Sequence, residues 1–267
     1  MLYDILVPVA ILAGLGLIFG GILAFASKKF AVKKDEKVEA VRELLPGANC
    51  GGCGFAGCDS FAEAVAQGKA PVGGCPVGGN ELGKKLGALL GISYESVGRR
   101  VARVHCQGGV NCKNRFEPQD VDTCREAHMV GGGKKACIYG CLGEGDCTRV
   151  CKFGAIAIGE NGVARVDEAK CTACGMCVKE CPVNIIWLVE AKENVADVLC
   201  HTQEKGKAVR EVCSNGCIGC GLCVRACEYD ALKMDNNLPK IDHSKCTACG
   251  KCVEKCPTGT MQIPFKG

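Results

Sequence analysis

Two stretches of the chain are near copies of each other: residues 171–182 read CTACGMCVKECP, and residues 246–257 read CTACGKCVEKCP. In each copy three cysteines recur at every third position, and a fourth cysteine followed by proline closes the motif. Three thiols crowded on one turn have the wrong geometry for separate disulfides but can face a single metal centre. The repeat therefore predicts tandem metal-binding modules in a reducing compartment, where thiols stay free.

A third run of the same spacing, residues 217–227, precedes the second copy. This pattern resembles the bacterial two-cluster ferredoxin motif C-x2-C-x2-C-x3-C-P, in which the fourth cysteine ligates the other cluster. Glu228 replaces the usual proline after Cys227. The resemblance implies one [4Fe–4S] cluster on Cys217, Cys220, Cys223 and Cys256, and a second on Cys246, Cys249, Cys252 and Cys227.

The first copy has a more irregular cysteine group in front of it, with the spacing C-x3-C-x5-C-x3-C over residues 137–151. Lys152 stands where the ferredoxin motif has proline. Analogy with the later module implies one cluster on Cys137, Cys141, Cys147 and Cys181, and another on Cys171, Cys174, Cys177 and Cys151.

The N-terminal part of the chain has a different cysteine group, spaced C-x2-C-x4-C-x16-C. Glycines between these cysteines allow a tight loop around a cofactor, and a short helix following the loop directs its N-terminal amides at an anion. We expect a [4Fe–4S] cluster here, and a zinc knot is the alternative. The expected ligands are Cys50, Cys53, Cys58 and Cys75.

The remaining cysteines are Cys106, Cys112, Cys124, Cys200 and Cys213. One interpretation is that they are buried, inert thiols. The other is a sixth metal site that uses Cys106, Cys112 and Cys124. The sequence thus predicts five [4Fe–4S] clusters, with the sixth site left open.

The formal net charge of +4 does not indicate nucleic-acid binding. Each [4Fe–4S] cluster with its thiolates carries about −2 when oxidised, so five clusters make the loaded protein acidic at about −6. Aromatic residues are only 5% of the chain, too few for a large aromatic core, which favours cofactors as a source of folding free energy. No nucleophile–base or paired-carboxylate arrangement predicts a catalytic residue.

The N-terminal segment from Ile5 to Ala26 contains no charged residue. Its roughly 22 residues would form about 33 Å of helix, enough to cross a bilayer. A cleaved signal peptide is the alternative, but it needs a positive segment in front, where only Asp4 is charged. The lysines follow the run at 28, 29, 33 and 34, which predicts a single-pass anchor with the C-terminal domains in the cytoplasm.

The predicted fold is α+β: one transmembrane helix, a small α-rich [4Fe–4S] domain and two tandem bacterial-type 2[4Fe–4S] ferredoxin modules. Apolar spacing predicts helices over 36–45, 59–67 and, more weakly, 82–104, and strands over 155–158 and 163–166. The predicted divisions are an anchor at 1–27, a charged linker at 28–35, an N-terminal cluster domain at 36–104, and ferredoxin modules at 105–198 and 199–267.

The order of these parts, together with the phrases CGGCGFAGCDSFAEAV at 50–65 and CLGEGDCTRVC at 141–151, resembles the RnfB family of the Rnf complex, the ion-translocating ferredoxin:NAD oxidoreductase. The resemblance implies a subunit in the inner membrane that accepts electrons from reduced ferredoxin in the cytoplasm. It would relay them to integral membrane subunits of the complex, while another subunit handles NAD. Coupled Na+ or H+ movement would belong to the whole complex.

Two other classes of function remain. One is the iron–sulfur electron-transfer subunit of another membrane-bound dehydrogenase or hydrogenase. The other is a non-redox zinc or scaffold protein. Within the relay, the C-terminal module lies furthest along the chain from the anchor and is the expected electron input. The Cys50 group follows the anchor closely and is the expected output.

Overall fold

The computed structural model describes residues 2–29, 35–117, 120–192 and 194–263. The helices are α1 (Leu2–Lys29), α2 (Glu36–Leu44), α3 (Cys58–Ala66), α4 (Gly79–Leu90), α5 (Cys124–Met129), α6 (Asp146–Arg149), α7 (Met176–Glu180), α8 (Gly206–Val212), α9 (Leu222–Arg225) and α10 (Lys251–Glu254). The strands are β1 (Arg100–Val104), β2 (Ile156–Ile158), β3 (Ala164–Val166), β4 (Ile186–Glu190), β5 (Asp197–Val198), β6 (Leu232–Asp235), β7 (Leu238–Ile241) and β8 (Met261–Gln262).

The N-terminal apolar segment forms α1, a helix of 28 residues. Its apolar side chains include Leu12, Leu17 and Phe25, which are 69%, 79% and 66% exposed. Among the residues described, no helix has the combination of length and apolarity needed to cross a membrane.

Helices α2, α3 and α4 pack around one small apolar core, which confirms the predicted helices at 36–45 and 59–67 to within one residue. Val41, Phe61 and Leu86 are its most buried large side chains, each no more than 1% exposed. The Asp35 carboxylate begins α2 by accepting a hydrogen bond from the Lys37 amide. Cys75 is the one cysteine among the buried members of this core, and Cys53 and Cys58 pack against it; the other buried members are ordinary apolar residues, so the core does not depend on cysteines alone.

The predicted helix at 82–104 is wrong beyond Leu90. Gly91 takes a left-handed conformation with φ of 70°, which ends α4 in the way that glycine commonly ends helices. The chain then returns so that the Tyr94 ring packs on the α4 backbone, where a Cβ at Gly83 would meet it at 2.5 Å. Residues 100–104 form β1, which pairs with β4 and so lies with the first ferredoxin module.

The two ferredoxin modules repeat one plan, in which an antiparallel hairpin lies between two cysteine loops. The hairpins are β2–β3 and β6–β7, and the first confirms the strands predicted at 155–158 and 163–166. In each module a further pair, β1–β4 or β5–β8, joins residues distant along the chain. Both cores include cysteines among their buried members, since the strands are too short to bury much apolar surface.

Candidate iron–sulfur centres

Cysteines line each of five cavities in the described part of the molecule, and these cavities are the candidate cluster sites. Within the described residues, no three His, Cys, Asp or Glu side chains lie close enough to hold a single metal ion. In a [4Fe–4S] cubane each thiolate binds a different iron, so its ligands surround a larger volume than the ligands of one ion. Thiols that line the same cavity are therefore candidate ligands of one cluster.

The second ferredoxin module has two such cavities, and both contain the thiols expected from the motif. One is lined by Cys217, Cys220, Cys223 and Cys256. The other is lined by Cys227, Cys246, Cys249 and Cys252. The fourth cysteine of each run thus lies across the module from its own run, as it does in two-cluster ferredoxins.

The N-terminal cavity is lined by Cys50, Cys53, Cys58 and Cys75. The Asn49 side-chain oxygen accepts a hydrogen bond from the Cys58 amide at 2.8 Å, so the loop is tied to the start of α3. Gly51 and Gly54 have φ of 73° and 87°, a conformation that favours glycine. These features place the four thiols at the N-terminus of α3, where the helix favours an anionic group.

The first ferredoxin module brings Cys151 to the thiols of the first CTACG copy. Cys171, Cys174 and Cys151 all lie near Cys177. Burial is the main cause that raises the pKa of Cys177 to about 12, and the charges of these three neighbours raise it as well. The Cys151 thiol also accepts a hydrogen bond from the Ala155 amide. This group agrees with the set expected from the ferredoxin motif.

The other cavity of the first module holds Cys124 instead of Cys137. Its cysteines are Cys124, Cys141, Cys147 and Cys181. Cys137 lies in a different cavity, together with Cys106, Cys112, Cys200 and Cys213, and Cys141 lies in the wall between the two cavities and lines both. The sequence-based ligand set therefore changes at one position, and we propose Cys124 as the fourth ligand. The suggested grouping of Cys124 with Cys106 and Cys112 is likewise not the one that the structure shows.

The position of Cys124 follows from the way α5 is held. Thr123 and Glu126 form a reciprocal capping box at the start of α5. The Arg125 amide donates to the Asp146 carboxylate at 3.0 Å, and its guanidinium pairs with Glu180 at 3.0 Å. Since Asp146 begins α6 and Glu180 ends α7, these contacts place the first residue of α5 beside Cys147 and Cys181. In the sequence, the T-x-x-E capping box around Cys124 marks only the start of a helix and does not reveal these distant partners.

The loop that contains Cys137 is held in a different place by the main-chain contacts of neighbouring residues. The Ala136 amide donates to the Lys113 carbonyl at 2.8 Å, and Asn114 forms a β-bridge with Lys135. Cys112, which precedes Lys113 in the chain, forms a bridge with Cys213 of the second module. The Cys137 loop is therefore attached to the junction between the two ferredoxin modules.

Burial governs the acidity of several of these thiols. It raises the pKa of Cys147 to about 12 and that of Cys141 to about 11, from an ordinary value of 9.0. Neighbouring thiols act in the same direction, and Cys141 contributes most among the neighbours of Cys147. Groups of thiols that resist becoming anions together need a cation among them, and the iron of a cluster supplies one.

The N-terminal cluster loop packs against the first ferredoxin module. A Cβ at Gly52 would lie 2.7 Å from the Cys174 carbonyl oxygen, so the two backbones are in close contact. The Lys152 ammonium donates to the Asn49 carbonyl at 2.9 Å. Lys152, which stands after Cys151 where the ferredoxin motif has proline, thus binds the loop that contains Cys50.

Family models match the same three regions. Residues 45–77 match the family described as an Fe-S cluster, residues 164–187 match a 4Fe-4S binding domain, and residues 216–260 match a 4Fe-4S dicluster domain. The RnfB protein of the Na(+)-translocating ferredoxin:NAD(+) oxidoreductase complex from Acetobacterium woodii is 49% identical over 96% of this chain and 77% of its own length. The chain belongs to the RnfB family of ion-translocating oxidoreductase complexes.

Two further members of the RnfB family support this assignment over nearly their whole lengths. The corresponding protein of the ion-translocating oxidoreductase complex from Methanosarcina acetivorans is 44% identical over 96% of this chain and 97% of its own. That of the proton-translocating ferredoxin:NAD(+) oxidoreductase complex from Clostridium ljungdahlii is 40% identical over 95% of this chain and 90% of its own. Membership of the RnfB family confirms the resemblance seen in the motifs, and the chain is a subunit of a redox complex.

Proposed function

We propose that this RnfB protein accepts electrons from reduced ferredoxin and relays them through [4Fe–4S] clusters to integral membrane subunits of its complex. The observation that carries the proposal is the succession of cysteine-lined sites from the exposed Cys249 to the Cys50 loop. When bound, each cluster supplies a one-electron carrier whose potential depends on hydrogen bonds and exposure. In this proposal the cysteines of the fold would hold the clusters, and their positions would set the order of the carriers.

The electron input lies in the second ferredoxin module. Cys249 is the one exposed thiol, whereas the other cysteines of the described chain are buried or half-buried. A cluster on Cys246, Cys249 and Cys252 would therefore lie nearer solvent than the others. A soluble donor such as reduced ferredoxin can approach it there, which supports the direction expected from the position of this module in the chain.

The output lies in the N-terminal domain. Gly52 of this domain contacts Cys174 of the first ferredoxin module, and α1 precedes the domain along the chain. We propose that the uncharged N-terminal run anchors the protein in the inner membrane, with the remaining domains in the cytoplasm; this proposal rests on the sequence, since no described helix meets the length and apolarity needed to cross a membrane. The uncharged run of the sequence and the exposure of Leu12, Leu17 and Phe25 support this, because lipid would cover these side chains.

A role in another membrane-bound dehydrogenase or hydrogenase is the other redox candidate. The names of the relatives favour the Rnf assignment, because two of them specify ferredoxin:NAD(+) oxidoreductase. Those names also specify different ions, Na(+) in one relative and a proton in the other. This chain is 49% identical to the first relative and 40% identical to the second, in agreement with ion movement being a property of the whole complex.

The test uses membranes that contain the assembled complex, mixed anaerobically with reduced ferredoxin. Cys58→Ala removes a ligand of the output site, and Ser60→Ala is a matched control on the exposed face of the same helix, α3. In Cys58→Ala we expect ferredoxin to reduce the clusters of the ferredoxin modules while NAD reduction stops. Normal NAD reduction in this variant would overturn the assigned direction. Reduction of the clusters by dithionite but not by ferredoxin would show that the donor is a different protein.

A further inference from the structure

The largest of the five cysteine-lined cavities found in the described part of the molecule lies at the junction of the two ferredoxin modules. It encloses about 220 Å³, compared with 10–20 Å³ for each of the four other cysteine-lined cavities. Its walls include all the cysteines that those sites and the Cys151 group do not use. They are Cys106, Cys112, Cys137, Cys200 and Cys213.

The two modules both contribute to this set. Cys106 follows β1 and Cys200 follows β5, and these strands belong to different modules. Cys213 ends α8 in the second module and forms a β-bridge with Cys112 of the first. The thiols therefore come together only when the modules are packed against each other.

Several features of the cavity suit a sulfur-rich anionic occupant. The Cys106 thiol accepts a hydrogen bond from the Cys141 amide at 3.4 Å, and the Cys200 thiol accepts one from the Cys217 amide at 3.4 Å. Amide donors of this kind stabilise thiolates and cluster sulfurs. A Cβ at Gly108 would lie 3.2 Å from the Cys213 sulfur and 3.8 Å from the Cys106 sulfur, so glycine keeps the space between them open.

Two histidines in the wall have buried ring nitrogens without a hydrogen-bond partner. The His105 Nδ1 atom bonds to the Val198 carbonyl, whereas its Nε2 atom is unpaired. The Nδ1 atom of His201 is unpaired as well. Buried polar atoms are normally satisfied, and such orphans indicate a polar group that the protein atoms alone do not supply.

We propose that this cavity holds a sixth [4Fe–4S] cluster, bound by Cys106, Cys137 and Cys200 with one member of the Cys112–Cys213 pair as the fourth ligand. The other member of the pair remains a hydrogen-bonding neighbour. The site places a redox centre between the Cys217 group and the Cys141 group, and each of those groups donates one amide hydrogen bond to a thiol of the cavity. That relay role rests on the proposed function, whereas occupancy of the site does not.

The test counts iron and acid-labile sulfide in the full chain, purified without oxygen, alongside EPR spectra of the reduced protein. Six clusters correspond to about 24 irons per chain, and five to about 20. Cys137→Ala/Cys200→Ala removes two ligands of the proposed site and should lose about four irons and one EPR component. Cys124→Ala/Cys147→Ala removes two ligands of the neighbouring site and should also lose about four.

The combination Cys124→Ala/Cys137→Ala separates the two possible groupings. Because these cysteines belong to different sites in the structure, the double variant should lose about eight irons, from two clusters. A loss of only four would mean that both bind one cluster and would overturn the assignment. Wild-type iron content in Cys137→Ala/Cys200→Ala, or zinc in the wild-type protein at one atom per chain, would overturn the sixth cluster. Unchanged EPR signals of the other clusters show that a variant has folded.

Discussion

Arg103 of β1 and Asp197 of β5 form an ion pair across the junction of the two ferredoxin modules, with 3.0 Å between the guanidinium nitrogen and the carboxylate oxygen. Both residues are only 6% exposed. The same guanidinium also pairs with Glu168 at 2.7 Å. The pair aligns two strands that lead, within a few residues, to Cys106 and Cys200, the thiols that face the junction cavity.

Breaking this pair should loosen the junction. Asp197→Ala leaves a buried guanidinium with Glu168 as its remaining partner, and we expect a loss of about 3 kcal/mol in the free energy of unfolding. Asp235→Ala is the control, since it removes one half of the exposed Lys240–Asp235 pair and should cost no more than about 1 kcal/mol. Denaturant unfolding of the loaded protein under anaerobic conditions measures both, and equal effects would contradict the role given to the buried pair.

Gly52→Ala should separate the N-terminal cluster loop from the first ferredoxin module. The added methyl group would meet the Cys174 carbonyl oxygen at 2.7 Å, which forces the two backbones apart. We expect weaker magnetic coupling between the two reduced clusters in EPR, with iron content unchanged. Gly98→Ala, whose Cβ would meet nothing within 4 Å, is the control and should leave the coupling intact. Unaltered coupling in Gly52→Ala would show that the contact does not set the distance between the clusters.

Removal of iron should affect the domains unequally. The ferredoxin modules have strands of two to five residues and cores that include their own cysteines. The N-terminal domain retains Val41, Phe61 and Leu86 as an apolar core for its helices. We therefore expect chelation to abolish the β signal in circular dichroism while α2 to α4 persist. Hydrogen exchange resolves the two parts, and equal protection throughout the apo-protein would contradict this expectation.

The retention of iron by the protein should keep increasing at pH values above 9.0, the ordinary pKa of a thiol. Burial raises the pKa of Cys147 and Cys177 to about 12, so after iron leaves, each thiol takes up a proton at any lower pH. Protons compete with iron, and cluster loss is therefore favoured as the pH falls. The measurement is competition with a chelator, corrected for the protonation of the chelator itself. Iron retention by the protein should still rise above pH 9.0, which is the ordinary pKa of a thiol. Iron retention by a cluster on free small-molecule thiols should level off near that pH. A plateau near 9.0 in the protein would show that burial does not control the ligands.

Regular spacing made some ligand sets predictable from sequence. In the second module the thiols lie three residues apart on one turn, so the local chain determines which of them face a cluster, and all eight expected cysteines line the two cavities. The first module has irregular spacing, and there the ligand set depends on contacts between distant segments. Cys124 reaches Cys147 and Cys181 because Arg125 binds Asp146 and Glu180, which no local pattern reveals.

The N-terminal helices illustrate a second limit of prediction. Apolar spacing located α2 and α3, but residues 100–104 looked like the end of a helix when they in fact form β1. The pairing partner of β1 is β4, more than eighty residues away, for example Val101 with Val189. A strand that is stabilised by such a distant partner carries little signal of its own, because its conformation is decided by tertiary contacts.

By itself the sequence determined the chemistry of this protein: repeated thiols at short intervals, glycines that allow tight loops, and an uncharged N-terminal run. These features are local, and their physical consequences act within one turn or one helix. The tertiary structure alone decided that Cys124 and Cys137 line different cavities and that five separate cysteines meet between the modules. Those outcomes depend on how whole modules pack, and the buried Arg103–Asp197 pair shows that this packing is held by contacts between residues far apart in the chain.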